Sequence, residues 1–179
     1  MLHCRRPRLP AYVIDAGTLC RGIRAFCRSG AIRAGQANPA AVLLDVWLNE
    51  DVPAFEWVYS EETVAVYEAV LRRLGLSGRF VDRVIGIITQ IGTRVGPPCG
   101  VPASPDALEG NFCVAAEAAE DAAIVTTDPA RFPDTGRFRI LSPAEALAGL
   151  SVHAGYAERA ASLPSPGSPS APTVQGWPT

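Results

Sequence analysis

Two short apolar runs each lead into an aspartate: Ala11 to Ile14 into Asp15, and Ala122 to Val125 into Asp128, with an acid-bearing helical stretch just before the second. Buried parallel strands that end in carboxylates bring those acids to the rim of a crevice, because ligands of an open α/β sheet bind outside the carboxyl ends of its strands. Carboxylates gathered in a partly desolvated crevice repel one another and take up protons unless a cation neutralises them. Hard oxygen donors select Mg²⁺ or Mn²⁺ over softer metals. The chemistry these residues predict is metal-assisted hydrolysis.

The elements that must position the acids can be read from periodicity. Residues 11 to 15 form a buried strand, followed by a helix over Thr18 to Cys27 with Leu19, Ile23 and Phe26 on one face. Ser29 to Asn38 is a loop. Pro39 suits the first position of a helix running through Val42, Leu43, Val46 and Trp47 to about Asp51. Phe55 to Tyr59 is a second strand, and Ser60 caps a helix that carries Glu61 and Glu62 in its first turn, where the helix dipole favours acids. After Gly75 and Gly78, an apolar face of Phe80, Val84, Ile87, Ile88 and Ile91 marks another helix, and Thr93 to Val95 a short strand. A proline-rich loop over Pro97 to Pro105 leads to a helix from about Asp106, then to strands over Ala122 to Thr126 and Phe138 to Leu141. Ser142, Pro143 and Glu145 open a closing helix by a capping box, and the domain ends near Leu150. Strands alternate with helices throughout. That pattern predicts a three-layer α/β/α fold around a mainly parallel twisted sheet of four to five strands.

Composition bounds the rest. The 179 residues, 48% of them apolar, fit one domain over 11 to 150. It is flanked by a basic arm over 1 to 10 and a Pro/Ser/Gly-rich tail over 151 to 179 that is expected to be disordered. No apolar stretch is long enough to span a membrane, and AYVI after the basic opening is too short for a signal peptide, so a cytoplasmic location away from membranes is expected. Five cysteines without CxxC spacing indicate neither a complete disulfide framework nor a zinc site. The two histidines, His3 and His153, stand near the ends, which disfavours a cysteine hydrolase. Before residue 34 seven arginines, among them Arg21 and Arg24, face one acid, Asp15. Such a stripe is the footprint of a polyanion, although the lack of any lysine in the chain is a matter of composition rather than of binding.

The order of motifs resembles the PIN-domain superfamily, especially its toxin components of toxin-antitoxin pairs, over about residues 11 to 150. AYVIDAGTL is similar to that family's first strand and acid, and PAFEWVYSEETVAVYEAVL to its second strand and following helix. SPDALEGNF is similar to its central acidic turn, AAIVTTDPARF to its last acid-bearing strand, and ILSPAEAL to its closing strand and helix. The resemblance implies a Mg²⁺- or Mn²⁺-dependent endoribonuclease that cuts single-stranded RNA with an activated water. It implies Asp15, Glu109 and Asp128 as metal ligands and catalytic acids, with Asp106 as a supporting acid and Arg21 or Arg24 steadying the RNA backbone. A small antitoxin and a second copy of the chain are the implied protein partners. Three positions depart from the family pattern: Gly17, Val66 and Ala130 stand where polar or acidic residues are usual. Glu62, four residues before Val66 on the same helical face, is a candidate substitute ligand. Each acid also has a plain structural reading. Asp15 and Asp106 can cap helices, Asp128 before Pro129 can start a turn, and Glu62 can be a solvated first-turn acid.

The alternative function is therefore a degenerate PIN-like module, catalytically weak or inactive, that binds RNA or a protein partner. DAGTL also looks like the DGTL of haloacid-dehalogenase-type phosphatases, but Gly17 fills the place of their second aspartate. Those enzymes, like receiver domains, also need a lysine that this chain lacks. Neither GxGxxG nor a Walker A pattern is present.

Overall fold

The computed structural model describes residues 9–29, 38–49, 53–96 and 108–154. Asp106, most of the basic arm, the tail beyond 154, Cys4 and Cys99 lie outside them. The chain runs β1 (Ala11–Ile14), α1 (Ala16–Ser29), α2 (Pro39–Asn49), β2 (Glu56–Tyr59), α3 (Glu61–Arg73), α4 (Gly78–Ile91), β3 (Thr93–Arg94), α5 (Leu108–Ala118), β4 (Ala123–Val125), a single 3₁₀ turn (Pro129–Arg131), β5 (Arg139–Leu141) and α6 (Pro143–Ala154). All five strands are parallel, in the order β3-β2-β1-β4-β5. The chain leaves β1 in one direction and returns to its other side at β4, so the order reverses between these two central strands.

The register of β1 against β4 sets which side chains meet at their carboxyl ends. Ile14 lies opposite Val125, so Asp15 and Thr126 emerge side by side there, and the Asp15 N–H still donates to the Val125 carbonyl at 2.9 Å. Val13, Ile14, Ile124 and Val125 are wholly buried, as expected of strands covered on both faces. Helix α5 packs on β1, β2 and β4 and against α3, which packs on α4; α2 packs against α1 and α6. These helices and the sheet between them make the α/β/α layers. An aromatic core joins them, with the Trp47 and Trp57 rings 4.6 Å apart and the Tyr67 and Phe112 rings 5.7 Å apart.

Local chemistry explains the boundaries. Ser60 caps α3: its Oγ accepts from the Thr63 N–H at 3.3 Å, while its own N–H donates to Thr63 Oγ1 at 2.9 Å. The residue that closes this box is thus a threonine at N3, not one of the first-turn glutamates. Gly75 ends α3 at φ 76°, a left-handed conformation that suits glycine. The box expected at Ser142 is present, with the Ser142 N–H donating to Glu145 Oε2 at 2.7 Å. Helix α6 continues to Ala154, past the boundary expected near Leu150.

Two expected apolar faces are only partly used. Leu19 and Ile23 are buried, but Phe26 is 40% exposed. A Cβ at Gly22 would lie 2.6 Å from Leu44 Cδ1, so α1 and α2 approach most closely there and Phe26 falls a turn beyond. On α4 the contact face centres on Val81 and Ile88, leaving Phe80 and Ile91 exposed. Both sheet edges are short and carry arginine: β3 has two residues, Thr93 and exposed Arg94, and β5 has three, beginning with exposed Arg139. Among the described residues no helix is long and apolar enough to cross a membrane. Cys20, Cys27 and Cys113 are free thiols.

Candidate active site

At the carboxyl ends of β1 and β4 opens a crevice of about 160 Å³, lined by Asp15, Ala16, Gly17, Cys20, Val66, Val70, Glu109, Phe112 and Arg131. It could hold about five waters at ~30 Å³ each, and it is smaller than the roughly 300–1,000 Å³ usual for organic ligands and cofactors. An ion with part of its water shell suits it better than a cofactor.

Asp15 is the deepest charge. It is 4% exposed and, among the described residues, belongs to no ion pair. Its side-chain partner is neutral: Thr126 Oγ1 donates to Asp15 Oδ2 at 3.2 Å and accepts from the Asp128 N–H at 3.0 Å. Thr18 adds a second tie between the strand ends, its Oγ1 accepting from the Thr127 N–H at 3.0 Å. A buried carboxylate with one hydroxyl partner carries a desolvation cost that a cation would offset. Gly17 has a positive role here, because a Cβ at that position would meet Asp15 Oδ2 at 2.9 Å. The polar support expected at position 17 comes instead from Thr126, directly after β4.

Glu109, in the first turn of α5, shares the crevice with Asp15. Its Oε1 pairs with Nη2 of Arg131, at the end of the 3₁₀ turn; the two side chains are 24% and 48% exposed. Val66 also lines the crevice and is 6% exposed, so position 66, where the sequence resemblance implied an acidic residue, faces the site and is apolar. Next to it, Tyr67 is buried and donates from its hydroxyl to the Ile14 carbonyl at 2.5 Å, bracing the last residue of β1. Burial, with the nearby Asp15 charge in support, pushes the Tyr67 phenol well above its ordinary range, so it stays a proton donor. Burial and then Asp15 also push the Cys20 thiol up, against the opposing charge of Arg24, and a protonated thiol is a poor nucleophile.

The other sequence-derived residues lie elsewhere. Asp128 precedes the 3₁₀ turn, is exposed, makes no capping hydrogen bond with its side chain and is not in the crevice lining. Glu62, Arg21 and Arg24 are likewise exposed and outside that lining, and Asp106 lies outside the described residues. Among the described residues no group of three or more His, Cys, Asp or Glu side chains is placed to hold a metal ion unaided. Two carboxylates, Asp15 and Glu109, do line one crevice, and donors of that type suit Mg²⁺ or Mn²⁺, which keep several waters and commonly use one or two carboxylates plus a substrate phosphate.

No family profile matches the chain, nor does any curated protein or solved structure. The residues that sequence reasoning missed are Thr126, Tyr67 and Arg131. For Thr126 the signal was present, since a hydroxyl directly after a buried strand and two residues before an acid is placed to bind the neighbouring strand end. For Arg131 spacing held no signal, because its partner is brought to it by α5.

Proposed function

We propose that this chain is a Mg²⁺- or Mn²⁺-dependent endoribonuclease acting on single-stranded RNA, the toxin of a toxin-antitoxin pair. The observation that carries the reading is Asp15: a buried carboxylate, without a cationic partner among the described residues, in one crevice with Glu109 at the point where strand order reverses. The RNA substrate class and the toxin assignment, with its antitoxin and homodimer partners, rest on the sequence resemblance.

In this reading Asp15 and Glu109 hold the ion. When bound, it supplies Lewis acidity at a phosphoryl oxygen and makes water a better nucleophile near neutral pH. Thr126 orients the Asp15 carboxylate, Tyr67 holds the end of β1 in place, and Phe112, Val66 and Val70 make the crevice walls apolar, which strengthens electrostatics inside it. Asp128, exposed and outside the crevice lining, would join the site only through a bound water or substrate, and Asp106 is the proposed supporting acid. Arg21 and Arg24 on α1 supply positive charge for the RNA backbone, and Glu62 contributes only if it reaches the site through water.

The second reading, a degenerate module that binds RNA or a protein, is favoured by Val66 in the crevice wall and by the pairing of Glu109 with Arg131. Calorimetric titration of Mn²⁺ into the protein and its Asp15→Asn variant, with a single-stranded RNA cleavage assay on the same samples, separates the two. The nuclease reading expects binding and cleavage that both vanish in Asp15→Asn. A wild-type protein that takes up no Mn²⁺ at millimolar concentration and leaves RNA intact would establish the binding module instead.

A further inference from the structure

Glu109 and Arg131 come from different elements, the first turn of α5 and the turn after β4, yet both line the crevice that holds Asp15. Of the ion pairs among the described residues, theirs has both members in that lining. Arg72 with Glu68 and Asp82, Arg94 with Glu61, and Arg137 with Glu117 all lie outside it. Phe132, buried next to Arg131, pins the turn to the core and so fixes the backbone from which the guanidinium reaches the crevice. The guanidinium can only donate hydrogen bonds, so each carboxylate oxygen it engages has less lone-pair capacity left for a cation. Its charge also repels a divalent ion at the same acid. The arginine is nevertheless half exposed, which leaves it room to turn outward.

We propose that Arg131 is a resident counter-cation of the site: it neutralises Glu109 in the ion-free protein and must yield that carboxylate to a divalent metal. The inference rests on the metal-site reading above and deepens it. Metal uptake becomes an exchange of one cation for another, and the affinity of the site is set by the strength of an internal ion pair as well as by its ligands. The crevice can thus keep its acids without a permanently bound ion.

The test is titration of Mn²⁺ alone into three full-length proteins: wild type, Arg131→Gln, and Arg137→Gln, which removes the same charge from an ion pair outside the crevice. Arg131→Gln is expected to bind Mn²⁺ about two- to fivefold more tightly, the range set by a partly exposed ion pair, while Arg137→Gln binds as the wild type does. Binding by Arg131→Gln where the wild type shows none would support Arg131 as the cation occupying the site while refuting the metal-dependent activity of the wild type. If the wild type binds and Arg131→Gln binds equally or more weakly, the exchange is refuted while the metal site stands. Equal tightening in Arg137→Gln would also refute it, as a general charge effect. Absence of binding in all three overturns the metal site, and the exchange with it.

Discussion

Replacing Thr126 with valine keeps the shape of a fully buried side chain and removes the hydroxyl that joins Asp15 to the backbone of Asp128. Two losses of unequal size result. A hydrogen bond to a charged group contributes about 1.5–3 kcal/mol. The 3.2 Å separation from Asp15 Oδ2 is long for an O–H···O bond, so the lower end, about 1.5 kcal/mol, applies. The Asp128 N–H, half-buried in its bond to Thr126, belongs to an exposed residue and can turn to water, for about 0.5 kcal/mol more. Thr126→Val should therefore destabilise the metal-free protein by about 2 kcal/mol, lowering the melting temperature by roughly 4–8 °C for a chain of this size. A double-mutant cycle read by urea unfolding isolates the first part. In an Asp15→Ala background the same substitution should cost only about 0.5 kcal/mol, giving a coupling of about 1.5 kcal/mol. A coupling below about 0.5 kcal/mol, the scatter of independent sites, would refute the claim that Thr126 is the partner holding the buried carboxylate.

Val66→Glu puts a third carboxylate into the crevice wall. It should lower stability in chelator, because the acid would be buried without a partner, and tighten Mn²⁺ binding about tenfold by ligand charge. Equal Mn²⁺ affinity in both proteins by calorimetry would show that position 66 does not reach the ion. Tyr67→Phe deletes the bond to the Ile14 carbonyl and should cost about 1–2 kcal/mol in urea unfolding. Since Tyr67 is not in the crevice lining, Mn²⁺ affinity should change less than in Thr126→Val. At the carboxyl end of β5, the hydrogen bonds from the Ser142 backbone and side chain hold the Glu145 carboxyl below its usual range. Its folded value is lower than its unfolded one, so the unfolded chain binds more protons within that window. The stabilisation is present above the unfolded value and lost as the pH falls below about 4. Glu145→Gln should flatten the acid limb of a stability–pH profile, and identical acid limbs would show that the box carries no pH dependence.

The fold was legible because β1 and β4 are unbroken apolar runs, and β2 is apolar after Glu56, with amphipathic helices between them, the pattern of a parallel sheet buried on both faces. Capping residues were legible where serine supplies the acceptor, as at Ser60 and Ser142. Their reciprocal partner was less so, since Thr63 closes one box and Glu145 the other. Phe26, Phe80 and Ile91 show the limit of periodicity: it marks which side of a helix is apolar, while the neighbouring element decides how much of that side is covered. At the site, the order of motifs grouped Asp15, Glu109 and Asp128; the first two line one crevice, and Asp128 lies outside that lining. The Glu109–Arg131 pair was not legible, since it depends on how α5 lies across the sheet relative to the turn after β4. Nor was the use of Gly17, which creates a place for an oxygen atom rather than supplying one.

The two edges of the sheet bear on how the molecule behaves in a crowded solution. An edge strand is a template on which another chain can add a strand of its own, and long, flat, uncharged edges invite such growth. Here each edge offers at most three residues, and each sets an exposed guanidinium, Arg94 or Arg139, beside the open backbone. A second strand laid there would gain few hydrogen bonds and would have to accommodate a charge that cannot be neutralised by losing its proton. Among the described residues, growth of the sheet from molecule to molecule is disfavoured at both edges.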